Sequence, residues 1–450
     1  MREMKDSGVA WIGEIPANWK IVPLKSLFSF GKGLPITKDN LEDTGIPVIS
    51  YGQIHAKWNS GVTTHGELLR YVNESYLGTN PQSLVRRGDL IMADTSEDRE
   101  GCGNCAYVDT DETLFAGYHT IILRSINETD NKYLAYLFLT DSWRSQIRQA
   151  VSGVKLFSVS RRILGSVSVI VPDNADEIVA YLDDKCAQVN TLISNVQAQI
   201  EKLKAHKQSL ITEVVTKGLD PNVPMKDSGV DYLGRIPSGW SIISIGQAFT
   251  YVGGFAFKSE LFTTDETQYQ VLRIGNVKND NLILDNKQIY VDGACAESAK
   301  VAEVHIDDIL FTMTGTKGKH DYFYTLLVNE NHTSDRHLFI NQRVGLFRAK
   351  SSKIKMAFAN YVLKEKRILD YIFLNETGTA NQGNIGIENI ARTKLYLPSL
   401  AEQEQIVSYL DEKCSQIDRL IALKEEKIEK LEQYKKSLIY EYVTGKREVV

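Results

Sequence analysis

This sequence lacks most of the features that would place it outside an ordinary cell interior. Its opening, MREMKDSG, has no apolar signal core. The stretch 163–171 is apolar but is broken by Gly165, Ser166 and Ser168, and it is far too short to span a bilayer. There are only five cysteines, an odd number, so a disulfide framework is not expected. Cys102 and Cys105 form a lone CxxC with no second pair to complete a zinc site, and they read as a reduced loop. The chain is expected to be cytoplasmic.

Catalytic signatures are absent as well. No Pro-Pro occurs, which excludes the Asn/Asp-Pro-Pro-aromatic motif of amino-methyltransferases. Gly253-Gly254-Phe255 is too short for a dinucleotide fingerprint, and Gly315-Thr316-Lys317-Gly318-Lys319 lacks both the four-residue gap and the final Ser/Thr of a phosphate loop. Asp307-Asp308 reads as a turn opening a strand. His305, His320, His332 and His337 have no metal-ligand rhythm. An excess of positive charge is missing too. The net charge is -5 and no segment is a basic tail, so nucleic-acid affinity must come from local patches or from a partner.

The sequence does repeat itself. Residues 4–24 read MKDSGVAWIGEIPANWKIVPL and residues 225–245 read MKDSGVDYLGRIPSGWSIISI, with 11 of 21 positions identical. Residues 178–216 and 406–444 match at 21 of 39 positions. The repeated unit is therefore half the chain.

Each second block predicts one long helix. The steps Leu182, Cys186, Val189, Ile193, Val196, Ile200, Leu203, Lys207, Leu210 and Val214 alternate four and three, which is a coiled-coil seam. The second seam runs Leu410, Cys414, Ile417, Ile421, Lys424, Ile428, Leu431, Lys435, Leu438 and Tyr442. Lys207 and Lys435 are expected to snorkel from the seam. Halves related by a pseudo-twofold axis would pair these helices antiparallel. Gly218, Pro221 and Pro224 mark a stiff crossing between halves.

Between the repeats lie two dissimilar regions with short β-branched and aromatic runs, and one helix expected in each, over 131–150 and 352–371. Both read as mixed α/β domains. Their frames align faintly: residues 49–54 over 272–277, 88–91 over 307–310, and 169–172 over 395–398. The division expected is a domain over 1–174, a helix over 175–216, a linker over 217–224, a second domain over 225–398 and a second helix over 399–450. The fold class is α+β, with two mixed α/β domains joined by two long antiparallel helices. Trp19 and Trp240 recur in the shared frame and read as core anchors.

The KDSGVxxxGxIPxxW opening, the Pro398 entry followed by Glu402-Gln403-Glu404-Gln405-Ile406, and the long helix closing each half resemble the specificity subunit of type I restriction–modification systems. The resemblance covers nearly the whole chain. It implies that the variable domains are target-recognition domains, each reading half of a split double-stranded DNA site, and that the helices set the spacer. It also implies partners: two methyltransferase subunits and restriction/translocase subunits. S-adenosylmethionine, ATP and Mg belong to those partners, with no cofactor and no catalysis in this chain. Two other readings stay open, a stand-alone sequence-specific DNA-binding protein and a coiled-coil interaction adaptor.

Arg and Lys read guanine, Asn and Gln read adenine, and hydroxyls and cations hold phosphates. On that chemistry the first domain offers Lys32, Tyr51, Gln53, His55, Arg99, Tyr118, His119, Lys155 and Arg161 as DNA contacts. The second offers Lys258, Arg273, Asn276, Lys278, Thr316, Lys317, Lys319, Gln342, Arg343, Asn381, Gln382 and Asn384. The run 378–384, rich in Asn and Gln, has its counterpart in 152–157, which lacks them, so the halves are expected to prefer different bases there.

Overall fold

The computed structural model describes residues 3–9, 11–127, 131–153, 155–379 and 382–449. Two helices dominate it, Ala175–Lys217 and Leu400–Val443. Neither contains Pro or Gly. Asp176 and Glu177 in the first turn of one, and Glu402 in that of the other, complement the positive helix end. Each helix stops shortly before a left-handed glycine, Gly218 (φ 80°) or Gly445 (φ 70°), a conformation that costs glycine nothing.

The chain divides into two compact units. One holds Met1–Gln197 with Glu425–Val450, and the other holds Ala198–Lys424. The division cuts both long helices, so each unit contains a stretch of each.

In the first unit a four-stranded antiparallel sheet runs in the order Cys105–Tyr107, Leu90–Ala93, Thr120–Ser125, Phe28–Lys32. A second sheet runs Arg70–Val72, Ile46–Ile49, Leu114–Ala116, Leu84–Val85, and its central pair is parallel. A hairpin, Met4–Asp6 with Glu14–Pro16, leads to the fully buried Trp19. The main core gathers Trp19, Phe28, Leu90, Tyr133, Trp143, Leu182 and Cys186 with Leu438, Tyr442 and Val443. Tyr181 and Tyr442 lie ring to ring at 4.5 Å, and Lys435 donates to Asn190 Oδ1 at 2.8 Å, so the helix stretches in this unit run antiparallel.

The second unit repeats the main sheet and the parallel strand pair with other residues, the parallel pair here forming a two-stranded sheet. Its sheet runs Phe249–Gly253, Val344–Ala349, Ile309–Thr312, Thr325–Leu327. Tyr269–Leu272 and His337–Ile340 form the parallel pair. The opening hairpin is Met225–Asp227 with Arg235–Pro237, followed by buried Trp240, whose indole N–H donates to Glu402 at 2.9 Å. Lys424 donates to Gln199 Oε1 at 2.6 Å and Lys207 pairs with Asp418 at 2.7 Å, again an antiparallel register.

The seam residues are buried or half-buried all along both helices, while most positions between them are exposed. Leu182, Cys186, Val189, Val196, Ile200, Leu410, Cys414, Ile417 and Leu438 are the buried ones. Ile193, Leu203, Leu210, Ile421, Ile428 and Leu431 are half-buried. The seam lysines keep their ammonium groups on polar partners. Such exposed polar contacts add roughly 0–1 kcal/mol each and act mainly on register.

The helix expected over 131–150 is two helices, Lys132–Phe138 and Asp141–Ala150. Thr140 breaks it, because its hydroxyl accepts the Trp143 N–H as an N-cap. The helix expected over 352–371 is likewise Met356–Val362 and Lys366–Phe373, broken where buried Glu365 caps the Ile368 N–H.

An ion pair on a buried carboxylate recurs inside each unit. Asp89 accepts from Arg124 at 2.6 Å and from the Arg86 N–H. Asp308 accepts from Arg348 at 2.7 Å and from the His305 N–H. Asp307 adopts φ 67°, forming the turn that opens the strand. No helix among the described residues is long and apolar enough to cross a membrane.

Candidate nucleic-acid interface

In the first unit, four of the expected residues meet. Tyr51 lies edge-on to His55, Tyr118 and His119, with ring centroids at 6.2, 5.5 and 5.4 Å. The parallel strand pair positions them: Tyr51 follows Ile46–Ile49, and Tyr118-His119 follows Leu114–Ala116. The Tyr51 N–H donates to Tyr118 O at 3.2 Å and closes the group. Partial burial pushes the Tyr118 hydroxyl pKa up, so it stays a proton donor. His119 sits at φ 54° with its ring 3.3 Å from Asp94. His55 is fixed by Thr95 O at 2.8 Å and by the Asn104 amide at 3.1 Å.

The strand Thr95–Ser96 continues from this cluster and pairs with Phe157–Ser158 as a two-stranded arm. Arg99 lies over the Phe157 ring at 5.5 Å. Lys155 and Arg161 are exposed on either side of the arm, and Lys32 is exposed at the end of its strand, opposite Ile121.

The second unit builds the same place differently. Thr314–Gly315 pairs with Gln382–Ile385, which pairs in turn with Glu376–Thr379. Burial alternates along Gln382–Ile385, so Gln382 and Asn384 share the exposed face. The Gly315–Lys319 loop is clamped to this arm. Lys317 donates to Gly378 O at 3.1 Å, the Gly318 N–H donates to Glu376 at 2.8 Å, and Tyr322 donates to the same carboxylate at 2.8 Å. The Thr316 N–H donates to Asp321 and holds that carboxyl below its usual range. Lys319 is exposed on this loop, and Gln342 and Arg343 are exposed just before the strand Val344–Ala349. Asn381 lies outside the described residues.

Hydrogen bonds put the two sites in correspondence. The Asp94 N–H donates to His119 O, and the Met313 N–H donates to Arg343 O. His119 therefore corresponds to Arg343, Tyr118 to Gln342, Thr95 to Thr314, and Ser158 to Asn384. At these matched places the two units offer different chemistry.

Four of the expected residues make contacts within the protein, and one of them, Asn276, is buried. The Asn276 oxygen accepts the Arg273 N–H, and its amide donates to Ile283 O and Asn286 O. Gln53 does the same local work, accepting the Ser50 N–H at 3.1 Å. The Arg273 guanidinium holds Lys287 O at 2.8 Å, and Lys278 sits over the Tyr324 ring at 5.0 Å. Gln53 and Asn276 align in the shared frame, and that alignment was the signal that they are structural. Lys258 is exposed.

Sequence reading passed over Asp94, Thr95, Ser96 and Glu376, which shape the arms. Only the strand pairing reveals them. Cys102 and Cys105 are buried free thiols, and full burial pushes the Cys105 thiol up to about 12, so it is inert as a nucleophile. Among the described residues no cluster of His, Cys, Asp or Glu has the makings of a metal site.

These two matched arms on a duplicated scaffold define a protein with paired variable surfaces on one shared frame. The chain belongs to the family of the type I restriction modification DNA specificity domain, whose model matches it twice, over residues 16–202 and 237–433. It is 23% identical over 447 residues to the putative type I restriction enzyme MjaX specificity subunit of Methanocaldococcus jannaschii, covering 97% of this chain and 95% of that one. The MjaVIII specificity subunit of the same organism is 24% identical over 379 residues, covering 82% and 81%. A solved chain from work on complex assembly and conformational transition of the type I R-M system shares the fold, with a TM-score of 0.65 and 16% identity over 95% of this chain and 98% of that one.

Proposed function

We propose that each unit reads one half of a bipartite, asymmetric double-stranded DNA site on behalf of a methyltransferase, and through it a restriction complex. The chain's place as the specificity subunit of a type I restriction–modification system follows from its family. The finer reading rests on one observation. The two units share the main sheet, the parallel strand pair, the Arg–Asp pair and the arm, yet differ at the matched positions Tyr118/Gln342, His119/Arg343 and Ser158/Asn384. Two readers of one sequence would have no reason to differ there.

In this reading the long helices set the spacer and dock two methyltransferase subunits. Methyl transfer, translocation and cleavage, with S-adenosylmethionine, ATP and Mg, belong to the partners. The chain itself supplies base-edge and phosphate contacts.

The test is the methylome of a host carrying the methyltransferase with and without this chain, and with residues 241–398 exchanged for another recognition domain. A split motif should appear only with the chain, and the exchange should alter one half-site. A change in both halves overturns the independent readers. DNA binding by the chain alone at physiological salt favours a stand-alone binder, and no DNA binding with or without methyltransferase favours an adaptor.

A further inference from the structure

Leu156 is 58% exposed, between the exposed Lys155 and, two residues on, the exposed Ser158. Its place can be fixed by register. Phe157 pairs with Ser96 and Ser158 with Thr95, while Gly383 pairs with Gly315 and Asn384 with Thr314. With Thr95 matched to Thr314, Leu156 stands where Gln382 stands in the second unit. The turns agree. A Cβ on Gly153 would meet Leu156 O at 2.1 Å, and a Cβ on Gly378 would meet Gln382 O at 2.1 Å. In each arm a glycine that admits no side chain thus lies against the backbone oxygen of one exposed residue, Leu156 or Gln382.

The two residues differ in what they can recognise. A glutamine both donates and accepts, and so matches the adenine edge. A leucine does neither. The one apolar feature a base pair offers in the major groove is the C5 methyl of thymine, and that groove, about 12 Å wide, admits a two-stranded β-ribbon. The surroundings of Leu156 suit that groove. Arg99, Lys155 and Ser158 can bond base edges or phosphates, while the leucine supplies the apolar contact.

We infer that Leu156 is a specificity residue that recognises the C5 methyl of a thymine in the half-site read by the first unit. This rests on the reading of that unit as a DNA reader. The contact is lost when thymine is replaced by uracil, which differs only in that methyl.

The experiment uses the full chain assembled with its methyltransferase, and duplexes carrying the motif found by methylome sequencing. Each thymine of the two half-sites is replaced in turn by uracil, and methylation rates are compared. The expected result is one position, in the first unit's half-site, where uracil slows methylation about tenfold, the order of one methyl contact. Leu156→Ala should bring that ratio to about one, leaving the other positions unchanged. Leu156→Met, which keeps an apolar tip, should retain discrimination.

If wild-type enzyme treats uracil and thymine alike at every position, or the half-site has no thymine, the inference is overturned whatever the variants do. Retained discrimination in Leu156→Ala overturns it too. An equal loss on all sequences by Leu156→Ala also does so, and would mark Leu156 as a general wedge. Absence of any split motif with wild-type chain is a different outcome, which removes the reading beneath the inference as well.

Discussion

Tyr361 donates its hydroxyl proton to Asp411 across 2.6 Å, and the pair has a twin, Tyr136 to Asp183 across 2.7 Å. Asp183 and Asp411 hold equal places in the repeated helix, three residues before Cys186 and Cys414. Burial, then the neighbouring carboxylate, pushes both tyrosine pKa values up, so the protons stay on the phenols. Each pair ties a short helix of an α/β region to the long helix inside its own unit.

Removing either hydroxyl should therefore loosen that tie. Tyr361→Phe and Tyr136→Phe are each expected to cost about 1 kcal/mol, since the carboxylates keep some solvent. Urea unfolding followed by tryptophan fluorescence measures the shift. An unmoved midpoint would mean that the bond adds nothing net.

Acid should weaken the second unit through Glu303. Burial would raise its pKa, but bonds from Lys300 at 2.7 Å and His337 at 2.7 Å outweigh this and hold it below its ordinary 4.5. The stabilisation is complete above about pH 4.5, where the unfolded chain is also ionised. It is lost as pH falls through the lower folded value. Melting temperatures over the acid range should drop more steeply for wild type than for Glu303→Gln. Parallel curves would contradict this.

The two asparagines of the second unit should separate stability from reading. Asn276→Ala leaves buried backbone groups unpaired and should cost roughly 1–3 kcal/mol. Asn384→Ala, on the exposed face, should stay within about 0.5 kcal/mol yet relax one base position in one half-site. Thermal melts and methylomes of both variants check the split; an unaltered motif in Asn384→Ala would remove it from the readers.

Gly33 and Gly254 occupy the same point after the sheet's edge strand. A Cβ there would come within 1.9 Å of Gly117 O or 2.1 Å of Asn341 O. Gly33→Ala and Gly254→Ala should each destabilise by roughly 1–3 kcal/mol as backbone is forced apart. A melt unchanged from wild type would show that the loops yield freely.

The long helices and their seams were legible because their signals are local and stated twice. A 3–4 periodicity can be read without a fold, and so can a frame that repeats. The breaks at Thr140 and Glu365 were not read, since a cap depends on which amide its side chain meets. The site was half legible for a similar reason. Side-chain type marked Tyr51, His55, Tyr118 and His119, which the strand pair brings together. It also marked Asn276, whose polarity is spent indoors. An amide that reads a base and an amide that ties a turn look the same in one dimension, and only burial separates them.

The core around Trp19 and Tyr133 contains Leu438, Ile439, Tyr442 and Val443, and Tyr133 donates to Val443 O at 2.7 Å. During synthesis those residues emerge only after the whole of 198–424. The core built around Trp19 is thus completed only after residues 198–424 have been made, and a chain interrupted within them carries a first unit with an open apolar face.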